Sequence, residues 1–360
     1  MRIVIAGEGS GQAGELKQAL VGMGLDWEVA AVDAAGPDGM TADAPVDVFV
    51  CPLRLGTLQG AEILAQMRNA YPGAVRIVLL DKNEESHALH ALDCAHRMLN
   101  TPLDASELIE AVDSVVDLRE LLDNAELKQA IGRIGSLPPP PRIYIELTQL
   151  LRDPDASNFE VAEVLSQDPG VAAKVLRLCN SAFFSGGRQI TDMRTAVTRL
   201  GMQSLRGLVL ASETFGSVQS SDAVDRDAMQ ERALMTSRLA ARLLGGSSAE
   251  LAATAGLLAE VGRLLPGVRA GDDESGPHYA EAGAYLLGLW GLPMPIVEAV
   301  AYHRTPARLR GSGFWVVGAV HVASALVLGE PVDEKYLRQV GVIDKLPKWR
   351  EMAESMAQPA

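Results

Sequence analysis

Short apolar runs alternate with amphipathic stretches through the first third of the chain, and amphipathic stretches fill most of the rest. Arg2–Gly7, Trp27–Val32, Asp47–Cys51, Val75–Leu80 and Arg97–Leu99 are short and largely apolar on consecutive positions, as strands buried on both faces are. Gln12–Gly22, Ala61–Ala70, Ser86–Asp93 and the segment from Ala105 onward carry helical spacing between them. This rhythm predicts a doubly wound, five-stranded parallel α/β sheet. From about Leu137 helix follows helix, divided by Asp-Pro and Gly-Gly breaks and without convincing strand pairs, which predicts an all-α domain.

The two regions are joined by a helical pattern that opens with Asp104 and Glu107 in capping-box spacing and meets no Gly or Pro before Ile131. Its apolar positions Leu108, Ala111, Val115, Leu118, Leu122 and Ala125 recur at three and four. Such a stripe either packs the helix on its own sheet or forms a dimerising signalling helix, in which Leu118 and Leu122 would meet a second copy. Gly132, Gly135 and Pro138–Pro141 then break the helix.

Composition narrows the function classes. Aromatic residues make up 4% of the 360, so the cores are built from aliphatic side chains. The formal charge of −14 repels phosphate backbones and argues against non-specific nucleic-acid binding. Residues 1–122 carry 19 acids against 8 bases, so the excess sits mainly in the first region. Cys51, Cys94 and Cys179 are odd in number and far apart, as reduced thiols of a cytoplasmic protein are. No apolar run approaches the ~20 residues of a membrane span.

Gly9-Ser10-Gly11-Gln12-Ala13-Gly14 matches GxGxxG after a strand, with Asp33 closing the next strand. This is a dinucleotide-loop candidate, since glycines let a backbone approach pyrophosphate at a helix N-terminus. The fingerprint starts two residues late, however, and Glu8 would repel the phosphates.

Val46 to Gly60, Val75–Leu80 and Ala95 to Pro102 resemble the third, fourth and fifth strands of a response-regulator receiver domain, a likeness covering residues 1 to about 122. The resemblance implies an acidic pair holding Mg²⁺, a phosphoacceptor Asp, a hydroxyl and a Lys. Those positions fall at Gly7 and Glu8, Pro52, Leu80 and Thr101, so the family's phosphoryl chemistry is missing and a pseudo-receiver is expected. Cys51, beside the lost aspartate, is expected to be a buried structural thiol.

Leu137 to Pro141, Asp153 to Ser157, Asp168-Pro169-Gly170, Lys174 to Phe184 and Thr191 to Gly201 resemble, in order and spacing, the HDOD domain. Asp153 and Asp168 are expected to cap helices starting at the following Pro, and Asn180 to close one. Arg177 and Asn180 flank a turn where a partner could bind. HDOD domains are related to metal-dependent HD phosphohydrolases. The resemblance places the first histidine of that site near Ala233, the His-Asp pair at Ala259 and Glu260, further histidines at His278, His303 and Arg304, and the final Asp at Ser324. Several neutral imidazoles and carboxylates must converge to hold such a metal, and too few remain. His321 reads as a hydrogen-bonded residue between helices.

The resulting division is a pseudo-receiver (1–122), a linker helix and break (123–136), an HDOD domain (137–329) and a C-terminal helical tail (330–360). The expected function is a non-catalytic bacterial signalling adaptor without metal or cofactor, acting through protein partners and a possible homodimer. A residual HD-type phosphohydrolase and a nucleotide sensor using the Gly-rich loop are the alternatives.

Overall fold

The computed structural model describes residues 1–7, 10–32, 45–55, 58–81, 94–122, 125–132, 147, 150–151, 153, 156–180, 189–202, 205, 226–269, 276–309 and 313–357. The chain divides into two compact units, the first built mainly from Met1–Leu137 and the second from most of the chain after it.

The first unit holds five parallel strands, β1 (Arg2–Ala6), β2 (Glu28–Val32), β3 (Val48–Pro52), β4 (Val75–Leu80) and β5 (Arg97–Asn100), in the order β2-β1-β3-β4-β5. The expected sheet is present, with strand ends shifted by a residue or two. Its central strands are buried throughout, as continuous apolar runs covered on both faces must be: Ile3, Phe49, Val50, Ile77 and Leu80 have at most 1% exposure. Helices α1 (Ser10–Gly22) and α2 (Gly60–Ala70) follow β1 and β3. The Ser86–Asp93 helix, Asp33, Gly9 and Glu8 lie outside the described residues, and Ser10–Gly14 form the start of α1.

A two-residue antiparallel pair, Arg54–Leu55 with Leu58–Gln59, was not expected from the sequence and connects β3 to α2. Gly60 closes this connection. Its N–H donates to the Leu53 carbonyl at 2.7 Å, and a Cβ there would meet the carbonyl oxygens of Pro52 and Leu53.

The expected long helix is divided. Helix α3 (Ala105–Leu121) is capped by Asp104, whose side chain accepts from the N–H groups of Ser106 and Glu107, and it ends at Leu122. A separate helix, α4, spans Ala125–Gly132. Leu108, Val115, Leu118 and Leu122 are buried, and α3 packs on β5 and α1. The apolar stripe therefore covers its own sheet. Leu118 and Leu122 offer no free dimer face, contrary to the second reading of the stripe.

The second unit is helical among its described residues, apart from one isolated bridge between Arg269 and His278. Helix α5 (Asn158–Leu165) starts later than expected. Ser157 and Glu160 form its capping box, so Ser157, and not Asp153, is the cap. Asp168 does cap α6 (Pro169–Cys179), its carboxylate accepting from the Val171 N–H at 2.8 Å.

After a helix over residues 193–202 come α7 (Arg226–Leu243), α8 (Ser247–Leu258), a 3₁₀ turn (Val261–Leu264), α9 (Tyr279–Leu289), α10 (Met294–Tyr302), α11 (Val316–Leu328), α12 (Glu334–Gln339) and α13 (Leu346–Ala357). Helix α13 is held by Trp349, which stacks on Phe314 at 4.9 Å within a cluster containing Val322, Tyr336 and Leu346.

The 3₁₀ turn and α9 cross with glycine against glycine. A Cβ at Gly262 would run into the Tyr279 carbonyl oxygen, and one at Gly283 would lie 2.9 Å from the Gly262 nitrogen. This close approach sets the distance between Glu260 and Tyr279. Gly262→Ala is expected to destabilise the second unit by about 1–3 kcal/mol through overpacking. Chemical denaturation checks this, and an unchanged midpoint would show that the crossing is not tight.

Candidate functional site

The receiver-like positions lie at the C-terminal ends of adjacent parallel strands. Gly7 follows β1 and donates to the Val32 carbonyl, Pro52 ends β3, Leu80 ends β4 and is fully buried, and Thr101 follows β5 and is exposed. The Thr101 N–H donates to the Leu80 carbonyl at 2.9 Å, and the Thr101–Pro102 peptide is cis. None of these four side chains carries a carboxylate or an amine. Cys51 is fully buried, its thiol donates to the Pro52 carbonyl at 3.1 Å, and burial pushes it up to about 12. A thiol held there is not a nucleophile.

In the second unit three of the HD-like positions, Glu260, His278 and His303, belong to one connected set of side chains. Ala259 and Glu260 form the turn after α8, and both are buried. Glu260 is clamped by two guanidinium groups: Arg232 Nε on α7 lies 3.0 Å from one carboxylate oxygen, and Arg263 Nε on the 3₁₀ turn lies 2.8 Å from the other. The Arg263 guanidinium carbon then sits 4.0 Å from the centre of the Tyr279 ring, a cation–π contact.

The Tyr279 hydroxyl lies 3.2 Å from His303 Nε2, and His303 Nδ1 lies 2.9 Å from the Val300 carbonyl. A carbonyl can only accept, so Nδ1 carries the proton and Nε2 accepts from the tyrosine. His321 repeats the arrangement: its Nδ1 donates to the His303 carbonyl at 2.7 Å, and its Nε2 accepts from the Asp333 N–H at 2.9 Å. The His278 ring packs tilted against Tyr279 at 4.5 Å and accepts from the Ala280 N–H through Nδ1. Arg304 turns away to pair with Glu330.

The electrostatics follow from burial. His303 is 1% exposed, and loss of hydration drives its imidazole down to about 3, opposed in part by the hydrogen bond to Val300. His321 is lowered for the same reason, and burial raises Tyr279. The imidazoles are therefore neutral, but the Nε2 lone pairs of His303 and His321, which a metal would need, already accept hydrogen bonds. The expected positions of the first and last ligands, Ala233 and Ser324, are buried and supply a methyl group and a hydroxyl. Among the described residues no group of three or more His, Cys, Asp or Glu side chains is placed to hold a metal ion.

Arg177 is 2% exposed and presents no surface to a partner, contrary to its sequence reading, while Asn180 is half-buried just after α6. The sequence reading missed Arg232, Arg263 and Tyr279 as members of the site. Arg263 lies three residues after Glu260, a helical pairing distance that could have revealed it, whereas Arg232 is distant in sequence and carried no local signal.

Residues 137–273 match the HDOD domain. An uncharacterised protein of Treponema pallidum (strain Nichols) is 26% identical over 197 residues, covering 48% of this chain and 38% of that protein, so the match spans well under half of the relative's length. Among solved structures, the MmoQ response regulator from Methylococcus capsulatus (strain Bath) is 20% identical, with a TM-score of 0.48, over 60% of this chain and 98% of its own. A candidate phosphohydrolase from Shewanella amazonensis is 27% identical, with a TM-score of 0.33, over 66% of this chain and 96% of its own. The chain thus joins a receiver-like α/β domain to an HDOD domain. Among the described residues no helix is long and apolar enough to cross a membrane.

His303 makes folding pH-dependent. Unfolding returns its imidazole to the ordinary value near 6.5, so below that pH the unfolded chain binds a proton that the folded chain refuses, and stability falls as pH drops from 6.5 toward 3. The expected loss is about 2 kcal/mol between pH 7 and pH 5. Denaturation at these two pH values should show it, with a shallower slope in His303→Asn. An equal slope in the variant would contradict the assignment to His303.

Proposed function

We propose that this chain is a non-catalytic adaptor of bacterial signal transduction, in which a receiver-like domain without phosphoryl chemistry and an HDOD domain both work as protein-binding modules in the cytoplasm. The observation that carries this reading is the internal saturation of the HD-like site. Both oxygens of Glu260 are taken by arginines, and His303 and His321 each use both ring nitrogens in hydrogen bonds to the protein. Metal-assisted hydrolysis needs free lone pairs converging on one point and an open position for water.

The receiver-like edge supports the same conclusion. Phosphoryl transfer to an aspartate needs a carboxylate nucleophile and charges that stabilise the transferred group, and Pro52, Leu80 and Thr101 supply neither. An adaptor of this kind keeps its two folds as scaffolds and acts through their surfaces.

Two assays test the reading together. Incubation with acetyl phosphate and Mg²⁺ should leave the intact mass unchanged. Bis(p-nitrophenyl) phosphate with Mn²⁺, Mg²⁺ or Zn²⁺ should turn over no faster with the wild-type protein than with His303→Ala. A gain of one phosphoryl group, or metal-stimulated turnover lost in His303→Ala, overturns the proposal.

A further inference from the structure

The first unit encloses a cation without a carboxylate. Arg76, near the start of β4, is 0% exposed, and among the described residues it forms no ion pair with an Asp or Glu. Its Nε donates to the Cys94 carbonyl at 2.8 Å, which docks the guanidinium on residue 94. His96 faces Arg76 twice, with Nδ1 3.1 Å from the Arg76 backbone nitrogen and Nε2 2.8 Å from Nη2. A neutral imidazole has one lone pair, so it accepts from one of these donors and not from both. Nη1 is buried and has no hydrogen-bond partner. A guanidinium enclosed in this way is costly unless negative charge or further acceptors reach it.

The neighbouring charges leave one source for it. Burial, helped by the Arg68 cation on α2, lowers the Arg76 guanidinium to about 9. Cys94 acts the other way, its negatively charged form raising Arg76. The attraction is mutual, so the cation favours a thiolate at Cys94 as much as the thiolate favours the cation.

Cys94 also differs from the other two cysteines in access. Cys51 and Cys179 are wholly buried, with thiols pushed up to about 12 chiefly by burial, whereas Cys94 is half-buried at the turn before β5. A thiol partly open to solvent and beside a guanidinium is in the environment that makes cysteines reactive.

We propose that Cys94 is a thiol-modification site that takes low-molecular-weight disulfides. The Cys94 thiolate attacks one sulfur of the disulfide, a bond forms between that sulfur and Cys94 Sγ, and the original S–S bond breaks. The electron pair leaves with the other sulfur, which takes up the proton that the Cys94 thiol released. Arg76 is a positioning residue that holds the negative charge before attack. The site lies toward the N-terminal ends of β4 and β5, the opposite edge of the sheet from Pro52, Leu80 and Thr101. It gives the receiver-like domain a covalent input that uses none of the phosphorylation positions, and it does not depend on the adaptor reading.

The full chain is incubated with oxidised glutathione and weighed intact. One glutathionyl group is expected on the wild-type protein and none on Cys94→Ser. The rate of the Cys94-dependent reaction with the chromogenic disulfide dithionitrobenzoate, followed against pH, is expected to reach half its maximum below the ordinary thiol value of about 8.5. Arg76→Met should raise that midpoint and slow the reaction at pH 7 about threefold, the gain in thiolate being partly offset by lower nucleophilicity. Arg76→Lys, which keeps the cation, should restore most of the shift.

Three results overturn the proposal: a wild-type mass without the glutathionyl group or a group that persists in Cys94→Ser, a wild-type midpoint at or above the ordinary thiol value, or a folded Arg76→Met variant whose profile matches the wild type. Circular dichroism verifies folding, and the wild-type midpoint decides the outcome where Arg76→Met does not fold. Neither assay involves phosphate or metal, so failure here and failure of the adaptor reading are read separately.

Discussion

A carboxylate removed from water costs several kcal/mol unless cations reach it with good geometry. Glu260 is such a carboxylate, 5% exposed at the turn between α8 and the 3₁₀ segment. Two guanidinium groups, one from a neighbouring helix and one from its own turn, meet its two oxygens. The pair of contacts fixes α7 against the α8 turn and places Arg263 over the Tyr279 ring. From there hydrogen bonds run through His303 to His321 and on to the backbone at the start of α12. This line of contacts runs from α7 through the turn after α8, the 3₁₀ segment, α9, the end of α10 and α11 to the start of α12.

Two arginines beside Glu260 and directed hydrogen bonds of the histidines organise this region of the bundle. A guanidinium brings fixed positive charge and no lone pair, so it can satisfy a carboxylate and cannot join it in coordinating an ion. Glycine at 262 and 283 completes the arrangement by letting backbone approach backbone, which brings the arginine and the tyrosine within contact distance.

Much of the fold was legible because its signals are local. Continuous apolar runs such as Val75–Leu80 specify buried strands, and that run is strand β4 without adjustment. Asp168 before Pro169 marks a helix start through chemistry confined to one turn. Asp153 before Pro154 offers the same local signal, yet the helix cap is Ser157, whose capping box with Glu160 makes the stronger start. The stripe containing Leu118 and Leu122 is equally visible, but its periodicity does not say whether it faces a sheet or a second chain, and it faces the sheet.

The site was legible as a set of positions and not as a network. The resemblance to the HDOD domain placed Ala259, Glu260, His303 and Ser324 in order along the chain, since a family's order of helices carries over with its motifs. What each group touches depends on how those helices pack. Arg232 meets Glu260 across 28 positions of sequence, and His321 meets the His303 carbonyl across 18, so no local pattern announces either contact. Arg177 shows the reverse failure: a charged residue at a helix end reads as surface, and packing has enclosed it.

The central claim is that His303 is a structural, neutral imidazole whose lone pair belongs to Tyr279. Nitrogen-15 NMR of histidine-labelled protein measures this directly. The account predicts that His303 is the Nδ1–H tautomer at neutral pH and keeps its Nε2 shift when excess Zn²⁺ or Mn²⁺ is added. A metal-dependent shift or broadening at His303 Nε2, saturating at one equivalent, would contradict it.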